Sequence, residues 1–493
     1  MSGKSHKEPQ RLERIRIDAV AAEGKCLVRT PEGVIFVESG PGNPAVAPGD
    51  VVDLRIVNQK KQYREAVAER IHEFSPVRVD PFCEHFGTCG GCKWQHIRYD
   101  DQLGFKQQQV IDHLTRIGKV VLHQIRPIMP AENRQYYRNK LEFTIAEGRW
   151  MTTAEVHSNE RIDQRVVGFH VPRRFDKVLP IRHCYLQPDP SNAIRLAVSD
   201  YMFAHNLAAY NLKTHVGYLR TLIIRTAEST GQTMVTMQVA QNNPDRLAHL
   251  LDYLLEQFPQ ITSLNYIVNT KKNDTYGDQV VVNYAGTPYI EEQMDDGSGS
   301  GAAETQPLTF RVGPKSFYQT NAAQAFNLYK VAREWAGLTG NELVYDLYTG
   351  TGTIALFVAR QAKHVVGLEY VEDAVIDARV NAQVNGIANA SFYAGDIKTL
   401  LTDAFMDEHG YPDVVITDPP RAGMDEAVTR QLLRAAPKRI VYVSCNTATQ
   451  ARDLGILDEL YEVSNVQPVD MFPHTHHVEN VVLLTRREEK AIK

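Results

Sequence analysis

No apolar run in the 493-residue chain approaches the length needed to cross a bilayer, which excludes a helical membrane span. The N-terminal stretch MSGKSHKEPQ lacks the apolar segment of a secretory signal. Together these absences predict a cytoplasmic protein with no membrane partner. Cysteine is scarce, with six residues: Cys26, Cys83, Cys89, Cys92, Cys184 and Cys445. In a reducing compartment such thiols are expected as metal ligands, nucleophiles or buried side chains, not as disulfides. A positive charge excess is missing too. The formal net charge of −5 argues against unselective coating of nucleic acid but leaves room for local basic grooves. Nothing in the sequence points to an obligate protein partner.

What is present is the composition of a globular protein, 43% hydrophobic and 23% charged. The length exceeds one ordinary core, so two to four domains are expected. Residues 14–70 contain short β-branched runs, RIRIDAV, KCLVRT, VIFVES and VVDLRIV, separated by turn signals such as PEG and SGPGNPAVAPGD. Their spacing predicts a small β-barrel of oligonucleotide-binding type, with a purely structural barrel as the alternative. Charge does not decide between them, since residues 1–80 hold 13 Lys/Arg and 12 Asp/Glu. Residues 75–185 carry the cysteine motif and a basic aromatic segment, Tyr136-Tyr137-Arg138-Asn139-Lys140. TLIIRTA, TMVTMQVA and QVVVNYAG make residues 215–290 β-rich, and EEQMDDGSGSGAAETQ (291–306) reads as a flexible surface loop.

From about residue 341 strands and helices alternate. ELVYDL, HVVGLEY, ASFYAGD, DVVITDPP and RIVYVSCN are buried-strand candidates, with TIALFVARQ and VEDAVIDARVNAQVN as helices between them. That alternation predicts a parallel sheet covered on both faces, binding ligands beyond the carboxyl ends of its strands. The turn Asp346-Leu347-Tyr348-Thr349-Gly350-Thr351-Gly352-Thr353 follows the first strand, and its glycines admit a close ligand. Glu369 ends the second strand, where a carboxylate accepts from ribose hydroxyls. Asp396 ends the third, near an expected adenine edge, and Asp418-Pro419-Pro420-Arg421 ends the fourth. This set looks like an S-adenosylmethionine-dependent methyltransferase domain. The competing dinucleotide dehydrogenase would more often show the longer GxGxxG.

Cys445, in VYVSCN, lies just past the fifth strand at the rim where the cofactor is expected. A helix beginning near Thr447 would favour its thiolate, although a buried structural cysteine is the commoner fate of a lone Cys. A thiolate there suits methylation of uracil carbon 5. Adding to carbon 6, it makes carbon 5 electron-rich enough to attack a sulfonium methyl, after which a base must remove the carbon-5 proton. Glu479 opens the apolar run ENVVLLT, so burial should raise its pKa and suit it to that task. The neighbouring histidines of FPHTHHVE are expected in loop packing or substrate contact.

Cys83, Cys89 and Cys92 form C-x5-C-x2-C, with Cys184 later in IRHCYLQ. Four thiolates suit tetrahedral zinc or an iron–sulfur cluster, and spacing alone does not choose. Cys26 is expected simply to be buried.

Taken together, CGGCKWQHIRYDDQLGFK, YYRNKLEF, GPKSFYQTN, DLYTGTGT, DPPRAG, YVSCN followed by ARD, and FPHTHHVE resemble the RNA uracil-5-methyltransferase family, in its branch with a TRAM domain and an iron–sulfur cluster. The resemblance runs nearly end to end. It implies a multidomain α/β protein: a TRAM-like β-barrel that binds RNA (1–74), a central α+β domain with the cluster (75–313), and a C-terminal Rossmann-like methyltransferase domain (314–493). It implies cofactor contacts at Gln319, Tyr348, Glu369 and Asp418, a nucleophile at Cys445 and a proton acceptor at Glu479. It also implies a [4Fe–4S] cluster on Cys83, Cys89, Cys92 and Cys184. The family often has Cys at the place of Thr349 and Pro at that of Thr447; neither position is catalytic.

A radical S-adenosylmethionine enzyme would need C-x3-C-x2-C and an open iron, whereas this chain offers a fourth cysteine. An RNA cytosine-5-methyltransferase would carry a cysteine beside the proline after the fourth strand, where this chain reads DPPR. An RNA-binding assembly factor with a relic fold would have no need of Cys445, Glu479 and DPPR together. A uridine inside a stem is out of reach of Cys445, so the target is expected unstacked or flipped. The resemblance favours 23S ribosomal RNA as substrate, with transfer RNA second.

Overall fold

The computed structural model describes residues 10–158, 160–296 and 307–488. Four strand-forming runs of the N-terminal region fold as expected, and Tyr63–Glu73 adds the longest strand of that region. Its sequence YREAVAERIHE hides alternation behind charge: Arg64, Ala66 and Ala68 point inward while Glu69 and Arg70 face out. One six-stranded sheet results, with Arg11–Arg16 and Ala19–Val20 at its two edges. Val52, Leu54 and Ile56 alternate into its core, beside Val28, Ile35 and Val37. Cys26 is buried there too, its Sγ 3.3 Å from the Val46 carbonyl and its thiol pushed up to about 12 by burial.

The middle of the chain builds a seven-stranded sheet, in the order 281–286, 261–268, 232–239, 219–227, 140–147, 165–171 and 174–180. Helices Ser191–Ala204 and Pro244–Gln257 bury Ile194, Val198, Met202, Leu247, Leu250 and Leu254 against it. Part of the segment read as a flexible loop is ordered. Ile290–Met294 is a strand paired antiparallel with Leu308–Val312. Ile290, Glu292 and Met294 all point inward at period two, and Ser229 donates to Glu292. Acidic composition concealed that alternation; residues 297–306 of the segment lie outside the described residues.

The C-terminal sheet has seven strands: β1 (Leu343–Leu347), β2 (His364–Glu369), β3 (Ala390–Ala394), β4 (Val414–Thr417), β5 (Arg439–Ser444), β6 (Tyr461–Val469) and β7 (Glu479–Arg486). Their order is 3-2-1-4-5-7-6. The first five are parallel, as their alternation with helices predicts. The sheet is not wholly parallel, however, because β7 runs antiparallel between β5 and β6. The short 470–478 connection permits only a hairpin return, and that return places Glu479 beside the carboxyl end of β5.

Candidate active site

The turn after β1 is held open by conformation. Tyr348, Gly350 and Gly352 all have positive φ, at 62°, 56° and 82°, a region that is strained for tyrosine. A Cβ on Gly350 would meet nothing within 4 Å, so the turn faces free space. Gly352 is tight instead, since its Cβ would sit 3.1 Å from Ala378. Glu369, at the end of β2, accepts from Gly350 N at 3.0 Å and from Val371 N at 2.9 Å. Its carboxylate is thereby oriented toward the turn with acceptor capacity remaining. Phe317 and Tyr370 border this region and are 67% and 71% exposed.

Gln319 is buried next to Asn321, and its backbone carbonyl accepts from Asn139 of the YYRNK segment at 3.0 Å. Asp396 caps the helix Ile397–Leu400, accepting from Lys398 N at 3.1 Å. Capping engages Oδ1, and Oδ2 pairs with Lys398 Nζ at 3.4 Å on a side chain 42% exposed.

Beyond β4 and β5 the carboxylates crowd. Burial lifts Asp418 to about 7, with Asp346 adding to the effect, and lifts Asp346 itself to about 7. Glu479, 4% exposed, rises to about 8 by burial, with Asp418 adding to it. These groups influence Tyr329, whose hydroxyl is 3.3 Å from Thr353 Oγ1. Asp418 follows β4, Cys445 follows β5 and Glu479 opens β7, three adjoining strands, so the structure brings the expected nucleophile and proton acceptor beside an expected cofactor contact.

The state of Cys445 corrects an expectation. The helix does begin at Thr447, with Asn446 as its N-cap accepting from Ala448 N at 3.2 Å. The thiol is nevertheless pushed up to about 12, chiefly by burial and then by Glu479 and Asp418, against a smaller lowering by Arg421. One helix terminus supplies about half a unit charge, too little to offset burial beside two carboxyls.

The loop between β6 and β7 is tied down by a network that the sequence reading missed. Lys106 Nζ donates to Asp470 Oδ1 at 2.6 Å, and neither side chain is exposed. Tyr99 OH donates to Asp470 Oδ2 at 2.7 Å, and Lys106 also reaches the Phe472 carbonyl at 3.1 Å. Gln102 accepts from His474 N at 3.0 Å, while Lys93 N and Trp94 N donate to His474 O. The signal was legible: Tyr99, Gln102, Lys106, Val110 and Leu114 form one buried stripe of the helix Tyr99–Arg116, and a lysine in such a stripe needs a buried anion. The histidines pack, as expected. His476 lies against Gly24 and His477, with a 4.0 Å ring separation in the second contact.

Cys83, Cys89, Cys92 and Cys184 converge. Burial raises Cys89 to about 12, and the other three thiols add to the shift. Arg195 is buried beside Cys184, and Arg138 influences both Cys92 and Cys184. Nε of each arginine is buried without a hydrogen-bond partner among the described residues. Four thiols and two incompletely satisfied cations thus share one region. Among the described residues, no three His, Cys, Asp or Glu side chains close into the ligand set of a single metal ion.

Over 472 residues the chain is 55% identical to an uncharacterized RNA methyltransferase of Bacteroides thetaiotaomicron, covering 95% of this chain and all of that one. A relative in Porphyromonas gingivalis, also an uncharacterized RNA methyltransferase, is 51% identical over 96% of this chain and all of that one. The family model of tRNA (uracil-5-)-methyltransferases matches residues 300–487. The chain belongs to the RNA uracil-5-methyltransferase family. Its fold agrees with that membership. The solved Pyrococcus abyssi tRNA (uracil-54, C5)-methyltransferase, in complex with S-adenosyl-L-homocysteine, superposes with a TM-score of 0.71 at 27% identity, covering 96% of this chain and all of that one. The matched segment of this RNA methyltransferase holds every residue named above in the β1 turn, the carboxylate group and the β6–β7 loop. The cysteine motif and Lys106 fall outside it.

Proposed function

We propose that this RNA methyltransferase transfers a methyl group from S-adenosylmethionine to carbon 5 of a flipped uridine, using Cys445 as nucleophile and Glu479 as base. The observation that carries the reading is the placement of Asp418 after β4, Cys445 after β5 and Glu479 at the start of β7, on adjoining strands of one sheet. Tyr348, Gly350, Glu369 and Asp396 line the ends of β1 to β3, where the cofactor would lie, and Gln319 is a further contact in this reading. When bound, S-adenosylmethionine supplies an electrophilic methyl group and one positive charge.

That charge suits this site. Cys445 is held as a thiol by burial and two acidic neighbours, and a cation entering beside Asp418 and Glu479 lowers the cost of its thiolate. Cys445 releases its proton to solvent and its Sγ bonds to carbon 6, carbon 5 takes the methyl group while the demethylated cofactor departs as the neutral thioether, Glu479 removes the carbon-5 proton, and the sulfur–carbon bond breaks to return the thiolate. Arg421, whose carbonyl accepts from Asn446 Nδ2 at 2.9 Å and Thr449 Oγ1 at 2.9 Å, keeps the DPPR loop against the helix that follows Cys445.

The N-terminal sheet serves as an RNA-binding unit of TRAM type, and the protein divides functionally into residues 1–74, 75–313 and 314–493. Cys83, Cys89, Cys92 and Cys184 hold a [4Fe–4S] cluster. Four thiolates suit zinc or an iron–sulfur cluster, and the family resemblance favours the cluster. Protein purified without oxygen is expected to contain about four irons per chain with matching sulfide. Stoichiometric zinc without iron would overturn this assignment.

Ribosomal RNA of the large subunit is the favoured substrate, on the combination of N-terminal sheet and cysteine motif. The likeness to a solved tRNA enzyme supports transfer RNA as the second reading. Mass mapping of 5-methyluridine in 23S and transfer RNA, from cells with and without the gene, tests both. Loss of one 23S site is expected; loss confined to transfer RNA reverses the order, and no loss in either removes uracil methylation.

A further inference from the structure

The central sheet carries a cavity that the methylation chemistry does not use. It occupies about 580 Å³, within the range of ligand sites, and is lined by His170, Phe175, Leu212, Lys213, His215 and Lys272. Three segments build it: the hairpin joining Arg165–Val171 to Arg174–Pro180, the turn around Lys213, and the loop after Ile261–Val268. Phe175 presents a ring 70% exposed. Lys213 pairs with Asp176 at 2.6 Å, while Lys272 forms no ion pair with any described residue. The one acidic lining group, Asp274, is engaged by Arg220 at 3.2 Å. Nδ1 of His170 is buried without a hydrogen-bond partner among the described residues.

We infer that this cavity is a second RNA anchor, holding one unstacked nucleotide of the substrate with its base on Phe175 and its phosphates near Lys213 and Lys272. An exposed ring beside lysines is the pairing that single-stranded nucleic acid recognises: every base has a face to stack, and every linkage a charge to neutralise. Imidazoles add donors suited to phosphate oxygens. The hairpin also joins this cavity to the N-terminal sheet, because Arg173 at its tip forms an ion pair with Glu38. On its other side the hairpin rests on the cysteine turn, where a Cβ on Gly90 would come within 3.0 Å of the His170 carbonyl. The anchor therefore lies between the N-terminal sheet and the converged thiols, on a basic and aromatic strip of an otherwise acidic chain.

This inference rests on RNA being the substrate, and its test separates the two. Full-length protein purified without oxygen would be titrated with a fluorescent oligouridylate of about 12 nucleotides, within the span of single-strand sites. Phe175→Ala is expected to weaken binding roughly 5- to 150-fold, the range of one base–aromatic stack. Lys213→Gln with Lys272→Gln is expected to reduce the slope of log affinity against log salt by about 1.4, since each phosphate contact on a single strand contributes about 0.7. Melting temperature and S-adenosylmethionine binding should stay at wild-type values, and bulk RNA should still be methylated at saturation. A triple variant that binds oligouridylate as wild type does, while methylating RNA normally, overturns the anchor and leaves the methyltransferase reading intact. Equal competition by polyglutamate would also overturn it, by reducing the site to unselective charge.

Discussion

Glu479→Gln is expected to arrest with Cys445 bonded to a methylated uracil. The amide matches the carboxylate in size but takes no proton at neutral pH, so addition and methyl transfer proceed while elimination stops. Denaturing electrophoresis should show a protein–RNA band carrying label from the cofactor's methyl group. Cys445→Ala, and the double variant, should show neither band nor product, a loss on the scale of 10⁴-fold or more for a covalent catalyst that acts as a unit. Turnover of Glu479→Gln at the wild-type rate would assign the proton to another group. An adduct formed without Cys445 would assign attack to another thiol.

The second large effect is on pH dependence. Burial first, and Asp418 second, hold the Glu479 carboxyl at about 8, so at pH 6 about one molecule in a hundred carries the base form. Elimination from a preformed adduct should therefore accelerate roughly fiftyfold between pH 6 and pH 8 and level off above. Quenched-flow release of methylated RNA after a pH jump measures this, with Glu479→Gln as the flat control. A pH-independent rate would show that Glu479 does not take the proton. The same shift enters stability with a definite sign. The folded protein holds this proton more tightly than the unfolded chain, so the favourable contribution is complete below the unfolded value of 4.5 and is lost as pH rises through about 8.

Much of this site was legible in the sequence, for identifiable reasons. β2, β4 and β5 are short Val-rich runs, while β1 and β3 (LVYDL and ASFYA) were readable from their alternation with helices, a pattern that fits a doubly covered sheet. The carboxylates expected at the cofactor, Glu369, Asp396 and Asp418, stand at the strands' carboxyl ends, where such sheets bind ligands. Glu479 was readable because the run after it is apolar, and a charge at its start must be desolvated. What escaped was set by tertiary context. Tyr63–Glu73 is a strand whose inward positions are filled by Ala and an ion-paired Arg64, so period two was present without hydrophobic contrast. The thiol of Cys445 was misjudged because helix geometry is local, while the burial and carboxyls that outweigh it come from β4 and β7. Lys106 and Asp470 are 364 positions apart, and no spacing argument joins them.

That last pair has a consequence for the order in which the protein becomes active. A chain emerging from the ribosome presents Tyr99, Gln102 and Lys106 long before Asp470 and His474 exist. The helix must wait with an ammonium group and an amide committed to an apolar stripe, and the final segment to be synthesised completes it. Arrival of residues 470–479 thus closes the β6–β7 loop, seats Glu479 and satisfies the waiting helix in one event. A chain cut after Val469 keeps the β1 turn and Cys445 but lacks Asp470, and with it Glu479. On the proposed mechanism, elimination waits for that loop to close.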